Sequence, residues 1–279
     1  MEILGRDGSR ICKPQYQGYA VIHGKKPLPG LPATYTEEEG EADTLEIYMK
    51  DPLRDLEFIL SYTIFRDVDA LARSVSFINR GNEVLFLNRA MSLSLDMPDM
   101  DYQTVQLSGS WARERAVRIR DLEPGITAIC SMRGNSSHQH NPFLALKRKN
   151  TNEQSGDVFG FSLLYSGNFL AQAEADNYQV LRIMLGINSF GFQWKLEPGE
   201  TFVTPVAVMV YSAEGLNGMS RQFHRLFRNR LVRGYWRDRE RPVLINNWEA
   251  TQFDYTQQDL LQFAEKAKEC GIELFVLDD

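Results

Sequence analysis

The sequence has few cysteines, no excess of basic residues and no long apolar run, and each absence excludes a class of protein. Cys12, Cys130 and Cys270 are odd in number and far apart in a chain of 279 residues. A disulfide framework is therefore not expected, and a cytoplasmic location is. Acidic residues outnumber basic ones by 37 to 31, which argues against a nucleic-acid partner because no basic stripe is available to neutralise phosphates. No apolar run approaches the length of a membrane span, so no membrane partner is expected either.

From about residue 17 to residue 211 the sequence has the pattern of β-strands. In "DTLEIYMKD" the apolar residues Leu45, Ile47 and Met49 alternate with polar ones, which is the period of a half-buried strand. The stretch 56–65 repeats this alternation, and 70–96 predicts two more strands joined by a polar turn near Gly81. Turn signals recur at short intervals and a helical period is almost absent. Residues 1–212 are therefore predicted to form a large antiparallel β-sandwich.

The pattern becomes helical at about residue 213. Phe223, Leu226, Phe227 and Leu231 recur at helical spacing among basic residues, which predicts an amphipathic helix with a solvated charged face. The charged stretch "RGYWRDRERP" follows it. Residues 213–241 are interpreted as a linker helix and connector.

Residues 242–279 have the pattern of a strand, a helix and a second strand. "VLINNW" and "IELFVL" are short apolar strands, and Leu260, Phe263, Ala264 and Ala267 form the apolar stripe of the helix between them. Thr256 and Asp259 have the spacing of a capping box, and Gly271 is where the helix should end. A βαβ unit of this length predicts parallel strands. Two parallel strands and one helix leave apolar faces bare, so we expect this segment to open a larger α/β domain that the sequence does not complete.

Polar side chains follow both of these strands. Asn246, Asn247 and Trp248 follow the first strand, and Asp278 and Asp279 follow the second. The carboxyl ends of parallel strands lie on one rim, where α/β proteins bind ligands. Carboxylates and amides bind hydroxyl groups and an aromatic face packs on C–H surfaces, so the rim has the chemistry of a sugar site. The alternatives are a plain strand-to-loop turn, with Asp279 capping a following helix, and a metal site.

No metal site and no cofactor are predicted. His138 and His140 would share a face in a strand, but zinc needs three or four protein ligands and no others are visible near them. A polar loop near a site is the simpler interpretation of "SSHQHNPF". Trp111, in "GSWARERA", is as compatible with a core position as with a functional one.

The segment 240–279, "ERPVLINNWEATQFDYTQQDLLQFAEKAKECGIELFVLDD", closely resembles the bacterial α-galactosidases of glycoside hydrolase family 36. Segments throughout the chain resemble the same family, in the family's order: "GLPATY", "EADTLEI", "LSGSWARER", "SSHQHNPF", "GFSLLYSGNFLAQ", "WKLEPGE" and "YSAEGLNGMSRQFHRLFR". The resemblance covers nearly the whole chain.

The resemblance implies a mainly β fold, in which an N-terminal β-supersandwich, truncated here, precedes the first strand, helix and strand of a (β/α)8 barrel. It implies that Asp278 and Asp279 are the family's paired aspartates, which hold the C4 and C6 hydroxyls of galactose. It also implies that Trp111 reaches toward the substrate from the sandwich and that Trp248 lies at the barrel mouth. The partner it implies is an α-galactoside, and the assembly is a homo-oligomer, a tetramer in the family.

The resemblance further implies retaining hydrolysis of terminal α-D-galactosyl groups, as in melibiose or raffinose. The family's catalytic nucleophile and acid/base are aspartates on later barrel strands, so no catalytic residue is expected in this chain and it should be inactive alone. The alternatives are a related galactosyltransferase, an α-N-acetylgalactosaminidase, and a non-catalytic galactoside-binding β-sandwich module.

Overall fold

The computed structural model describes residues 1–278 and divides them into two compact units, Met1–Leu231 and a second unit that begins at Val232. The strands of the first unit are β1 (Glu2–Leu4), β2 (Gln15–His23), β3 (Ala42–Asp51), β4 (Leu56–Phe65), β5 (Ala70–Asn79), β6 (Leu85–Arg89), β7 (Met91–Met97), β8 (Gln103–Ser110), β9 (Arg113–Asp121), β10 (Gly125–Cys130), β11 (His140–Lys147), β12 (Val158–Leu164), β13 (Phe169–Ala175), β14 (Leu181–Ile187), β15 (Trp194–Leu196), β16 (Thr201–Val203) and β17 (Val206–Ser212). A 3-10 turn at Glu39–Glu41 precedes β3, and helix α1 (Gly215–Arg230) follows β17.

A ten-stranded antiparallel sheet forms the centre of the first unit. Its order is β2-β3-β4-β5-β17-β12-β11-β8-β9, with β16 paired to β5. Two smaller sheets, β10-β13-β14-β7 and β1-β6-β15, pack against one of its faces through separate apolar cores. The prediction of a mainly β fold with large antiparallel sheets is confirmed.

Helix α1 covers part of the opposite face of the large sheet. Met219, Phe223 and Leu226 are buried there against Val208 and Val210 of β17, and full burial of each such side chain contributes about 1.5–3 kcal/mol. This helix belongs to the first compact unit. The residues that follow Leu231 belong to the second unit.

The sequence prediction for residues 70–96 was wrong in one respect. It gave two strands, whereas the structure has three, since the second is interrupted between Arg89 and Met91. Strand β6 belongs to the three-stranded sheet and β7 to the four-stranded sheet. The chain changes sheets at Ala90, which is 1% exposed. Because the apolar and polar residues on both sides of Ala90 suit a strand, the alternation does not reveal this change of sheet.

The second unit consists of β18 (Leu244–Asn246), α2 (Trp248–Thr251), α3 (Gln257–Glu269) and β19 (Leu274–Val276). Strands β18 and β19 pair in parallel, as predicted. The predicted capping box of α3 is present: Thr256 Oγ1 accepts from the backbone N–H of Asp259, and Asp259 accepts from the backbone N–H of Thr256. Gly271 has a φ of +78° and ends the helix, as predicted. The Phe263 ring lies 5.6 Å from that of Phe275, which fixes α3 on β19.

Candidate functional site: the strand-end rim of the second unit

The parallel pairing of β18 and β19 brings their carboxyl ends to one rim. Asn246 is the register partner of Val276, so the residues that follow each strand begin at the same level. The rim comprises Asn246, Asn247 and Trp248 after β18 and Asp278 after β19. Asp279, the other predicted site residue on this rim, lies outside the described residues.

Two asparagines bind Asp278, one through its side chain and the other through its backbone. Asn246 Nδ2 donates to Asp278 Oδ2 at 3.1 Å. The backbone N–H of Asp278 donates to Asn247 Oδ1 at 2.9 Å. The carboxylate is half-buried and keeps oxygen lone pairs for other donors. Its position is therefore fixed by the first strand while it remains able to accept hydrogen bonds from a ligand.

Asn247 is buried beneath the rim and hydrogen-bonds to the residues around it. It is 0% exposed, and its Nδ2 donates to Thr251 Oγ1 at 3.0 Å. The Thr251 hydroxyl in turn donates to the backbone carbonyl of Asn247 at 3.1 Å. Sequence reasoning placed Asn247 on the rim but missed this supporting role. The available signal was a threonine four residues after an asparagine at a strand end, where both can share one short helical turn.

Trp248 supplies an aromatic surface beside the polar groups. It begins α2, is half-buried, and its backbone N–H donates to Asn246 Oδ1 at 3.2 Å. Its ring meets the exposed ring of Phe253 edge-on, with centroids 4.9 Å apart. A carboxylate, amides and an indole thus converge on this rim, which is an arrangement that binds the hydroxyls and C–H faces of a sugar.

Trp111 lies in the first unit, at the turn between β8 and β9. Its side chain is 84% exposed, which excludes the alternative of a core position. The turn is built from local contacts: Ala112 has a φ of +58°, its N–H donates to Glu114 Oε1 at 2.9 Å, and Arg113 Nε donates to Ser110 Oγ at 3.0 Å. The side chain is thus presented to solvent on a defined turn.

The histidine pair does not share a strand face as predicted, because β11 begins at His140 and His138 lies in the preceding turn. His140 Nδ1 lies 2.9 Å from Ser108 Oγ. Burial, together with the charges of Arg120 and Arg133, lowers the pKa of His140. No group of three or more His, Cys, Asp or Glu side chains with metal-holding geometry occurs within residues 1–278.

The three cysteines are free thiols. Burial and a hydrogen bond to Asp51 raise the pKa of Cys12 to about 12, so this thiol stays protonated and poorly nucleophilic. Within the described part of the chain, no helix has the length and apolar character needed to cross a membrane.

The chain is similar to known proteins along its whole length. The family model described as "Glycosyl hydrolase family 36 N-terminal domain" matches residues 1–197, and the model described as "Melibiase" matches residues 201–279. The α-galactosidase AgaA of Geobacillus stearothermophilus is 52% identical over 98% of this chain, and α-galactosidase 1 of Pediococcus pentosaceus is 45% identical over the same share. This chain spans 37% of the length of each of these two relatives.

Solved structures give the same result. The crystal structure of G. stearothermophilus AgaA matches with a TM-score of 0.98 at 51% identity, covering 100% of this chain and 39% of that one. A variant of AgaA crystallised with raffinose also matches with a TM-score of 0.98 at 51% identity, over the same shares of the two chains. The family model alone covers more than half of the chain. The chain therefore belongs to glycoside hydrolase family 36.

Proposed function

We propose that this chain forms the N-terminal part of a retaining α-galactosidase, which hydrolyses terminal non-reducing α-D-galactosyl groups of melibiose- or raffinose-type substrates. The observation that carries the proposal is the strand-end rim, where Asn246 and Asn247 fix Asp278 beside Trp248. The curated relatives named above are α-galactosidases, and one relative was crystallised with raffinose.

The domain organisation belongs to the same proposal. Residues 1–212 form a β-supersandwich, 213–241 lead out of it, and residues from 242 begin a (β/α)8 barrel. Support comes from the parallel pair β18–β19 with α3 as its crossover, because this is the repeating unit of such a barrel. The exposed apolar residues Val243, Leu244 and Leu274 support it as well, since neighbouring barrel elements would cover them.

In this enzyme, Asp278 and Asp279 accept hydrogen bonds from galactose hydroxyls, chiefly those at C4 and C6. The Trp248 ring packs on the C–H surface of the sugar, and Trp111 is a further substrate-binding residue. Asn246 keeps the Asp278 carboxylate oriented. None of these side chains is the nucleophile or the acid/base. Retaining hydrolysis needs two carboxyl groups about 5–5.5 Å apart across the glycosidic bond, and the family places both on later barrel strands.

Replacement of Asp278 in the full-length enzyme tests the rim. Asp278→Asn removes a charge-assisted hydrogen bond to the sugar, so kcat/KM for an α-galactoside should fall roughly 10- to 200-fold. Discrimination against the α-glucoside, which differs at C4, should fall with it. Asp254→Asn, at an exposed carboxylate in the same unit, is the matched control. Equal kinetics for Asp278→Asn and the control would remove Asp278 from the site.

An activity assay of the 279-residue chain tests the proposal that the catalytic residues lie outside it. Purified away from host enzymes, it should turn over nitrophenyl α-galactoside at less than about one thousandth of the full-length rate, because the covalent nucleophile is absent. A higher rate would place the chemistry within these residues and overturn the assignment of roles.

Assembly as a homo-oligomer and a cytoplasmic location complete the proposal. Tyr19, Val21 and Ile64 lie on one face of the large sheet and are 66%, 61% and 55% exposed. A face of this kind supports subunit contact. The three free thiols support a reducing compartment. Light scattering of the full-length enzyme should give a multiple of the subunit mass. Val21→Glu places a charge on this face and should reduce the measured mass.

A further inference from the structure

Phe253 lies beside the strand-end rim and contacts its aromatic surface. It follows α2, and its side chain is 75% exposed. The packing of α3 on β19 uses other rings, those of Phe263 and Phe275. Phe253 instead contacts Trp248, with ring centroids 4.9 Å apart and ring planes at 84°. This contact connects Phe253 to the rim and not to the core of the second unit.

A strained turn carries Phe253. The backbone N–H of Asp254 donates to the carbonyl of Thr251 at 3.0 Å, which closes a four-residue β-turn. The first central residue of this turn, Gln252, has a φ of +49° and a ψ of −123°. These are the angles of a type II′ turn, where glycine is the usual residue because a side chain is strained there. Strained residues persist where the surrounding contacts fix them, and they cluster at ligand sites.

The turn is attached to the same buried residue that holds Asp278. Asn247 Nδ2 donates to Thr251 Oγ1 at 3.0 Å, and the backbone N–H of Gln252 donates to the carbonyl of Trp248 at 2.8 Å. Asn247 Oδ1 accepts from the backbone N–H of Asp278 at 2.9 Å. One residue therefore fixes both the turn and the carboxylate-bearing end of β19.

The edge-on contact limits the orientations that the Trp248 ring can adopt. Trp248 is half-buried, so its indole has room to change rotamer on its open side. An aromatic ring packed against it at about a right angle favours one orientation over the others. Packing on the C–H surface of a sugar requires a single orientation of the indole plane. Phe253 can supply this constraint without touching the sugar.

We propose that Phe253 is a positioning residue, which holds the Trp248 ring in the orientation that packs on the galactosyl group. This role rests on the proposed function, since it concerns how the rim of that enzyme orients its aromatic surface. Packing on a C–H surface stabilises the bound substrate and the transition state equally, so it affects binding and not the chemical step. The loss of Phe253 should therefore change KM and not kcat.

Kinetics of the full-length enzyme with nitrophenyl α-galactoside test this role. Phe253→Ala should raise KM, and the inhibition constant of D-galactose, about 3- to 10-fold and leave kcat within about twofold. Phe253→Tyr keeps the ring and should restore both constants. Tyr235→Ala is the matched control, because Tyr235 makes the same kind of contact with Trp236 in this unit, at 4.8 Å and 89°. It should leave KM unchanged.

Crystal structures of the full-length variants give the orientation of Trp248 without any turnover. In Phe253→Ala the indole should occupy more than one rotamer, and in Phe253→Tyr it should keep the rotamer of the parent enzyme. A second variant reaches Phe253 through the turn. Gln252→Val places a β-branched residue at a positive φ, which is unfavourable, so it should displace Phe253 and raise KM in the same direction.

The proposal is overturned if Trp248 keeps a single parent rotamer in Phe253→Ala, or if folded Phe253→Ala or Gln252→Val has the KM of the control. A fall in kcat with KM unchanged would overturn it as well. If Phe253 only packs against a neighbouring element, Phe253→Ala should lower the thermal unfolding midpoint and change neither KM nor the indole, which also contradicts the proposal. If the parent enzyme releases no galactose, the proposed function fails, and the crystal structures still decide whether Phe253 positions Trp248.

Discussion

Arg230 carries a buried positive charge that pairs with two carboxylates. It is the last residue of α1, its side chain is 9% exposed, and it pairs with Glu41 at 2.5 Å and Asp67 at 3.0 Å. Glu41 also accepts from the backbone N–H groups of Glu37 and Glu38. These contacts connect the C-terminal end of α1 to the 3-10 turn before β3 and to the loop between β4 and β5. A buried cation of this kind depends on its partners remaining ionised.

The Arg230–Glu41 pair predicts a defined acid sensitivity. The Arg230 guanidinium, with the backbone donors, lowers the pKa of Glu41 from 4.5 to about 2. Because the folded-state pKa is the lower one, the stability that Glu41 contributes is fully present above about pH 4.5 and is lost as the pH falls toward 2. Urea unfolding of Glu41→Gln should show a smaller loss of stability between pH 6 and pH 3 than the parent protein.

Glu39→Gln serves as the control for this experiment, since Glu39 is an exposed carboxylate of the same 3-10 turn. It should keep the pH dependence of the parent. If Glu41→Gln also keeps it, the acid sensitivity comes from other carboxylates.

At the scale of elements, the approach of α1 to the large sheet depends on Gly160 in β12. A Cβ atom at this position would lie 2.5 Å from Phe223 Cε2 and 2.6 Å from Met219 Sδ. Both side chains belong to the buried face of α1. The absence of a side chain at Gly160 therefore sets how closely the helix can lie on the strand.

Gly160→Ala should reduce the free energy of unfolding by about 1–3 kcal/mol through overpacking. Met219→Ala, which leaves a cavity, should cost about 2–5 kcal/mol alone. Because the new methyl group occupies space that Met219 vacates, the double variant should lose less than the two single variants combined. Additive losses in denaturant unfolding would show that Met219 does not set this spacing.

The start of α3 gives a second test at this scale. Thr256→Ala removes the N-cap hydroxyl and should cost about 1 kcal/mol of local helix stability, seen as faster amide exchange in α3. The hydrogen bond from Thr256 lowers the pKa of Asp259, so NMR titration should show this pKa rising in the variant. Gln257→Ala, at an exposed position without a capping contact, should change neither quantity.

At the scale of the whole molecule, the two units differ in how their strands are supported. Strands β3 to β5 pair on both edges within the ten-stranded sheet, whereas β18 and β19 pair with each other. Leu244 and Leu274 are 51% and 41% exposed. Local opening is easiest where few buried apolar contacts resist it.

We therefore expect amide hydrogens within 243–278 to exchange faster than those of the strands between 44 and 95. Exchange followed by mass spectrometry on the 279-residue chain measures both regions in one sample. Equal protection of the two regions would mean that some other surface stabilises the second unit.

The features that could be predicted from sequence are those with a local physical cause. The two-residue alternation of β3 and β4, the stripe of α1 and the capping box of α3 each depend on neighbouring residues. The change from one sheet to another at Ala90 and the packing of α1 on the large sheet depend on residues distant in sequence. No local pattern therefore revealed them. The rim was predicted in position, but the buried role of Asn247 required coordinates, because an asparagine at a strand end looks the same whether buried or exposed.

The order of strands in the large sheet has a consequence for synthesis on the ribosome. Strands β2 to β5 are consecutive hairpins that can pair as they emerge, but β5 has its other edge filled by β16 and β17, which follow roughly 130 residues later. At a translation rate of about 5–20 residues per second, that edge waits on the order of 10 s. An unpaired edge of this length is a template for pairing with another nascent chain. Nascent chains on neighbouring ribosomes of one messenger RNA therefore expose the same unpaired edge of β5 at the same time. We expect aggregation during expression to increase when ribosomes are densely spaced on the messenger RNA.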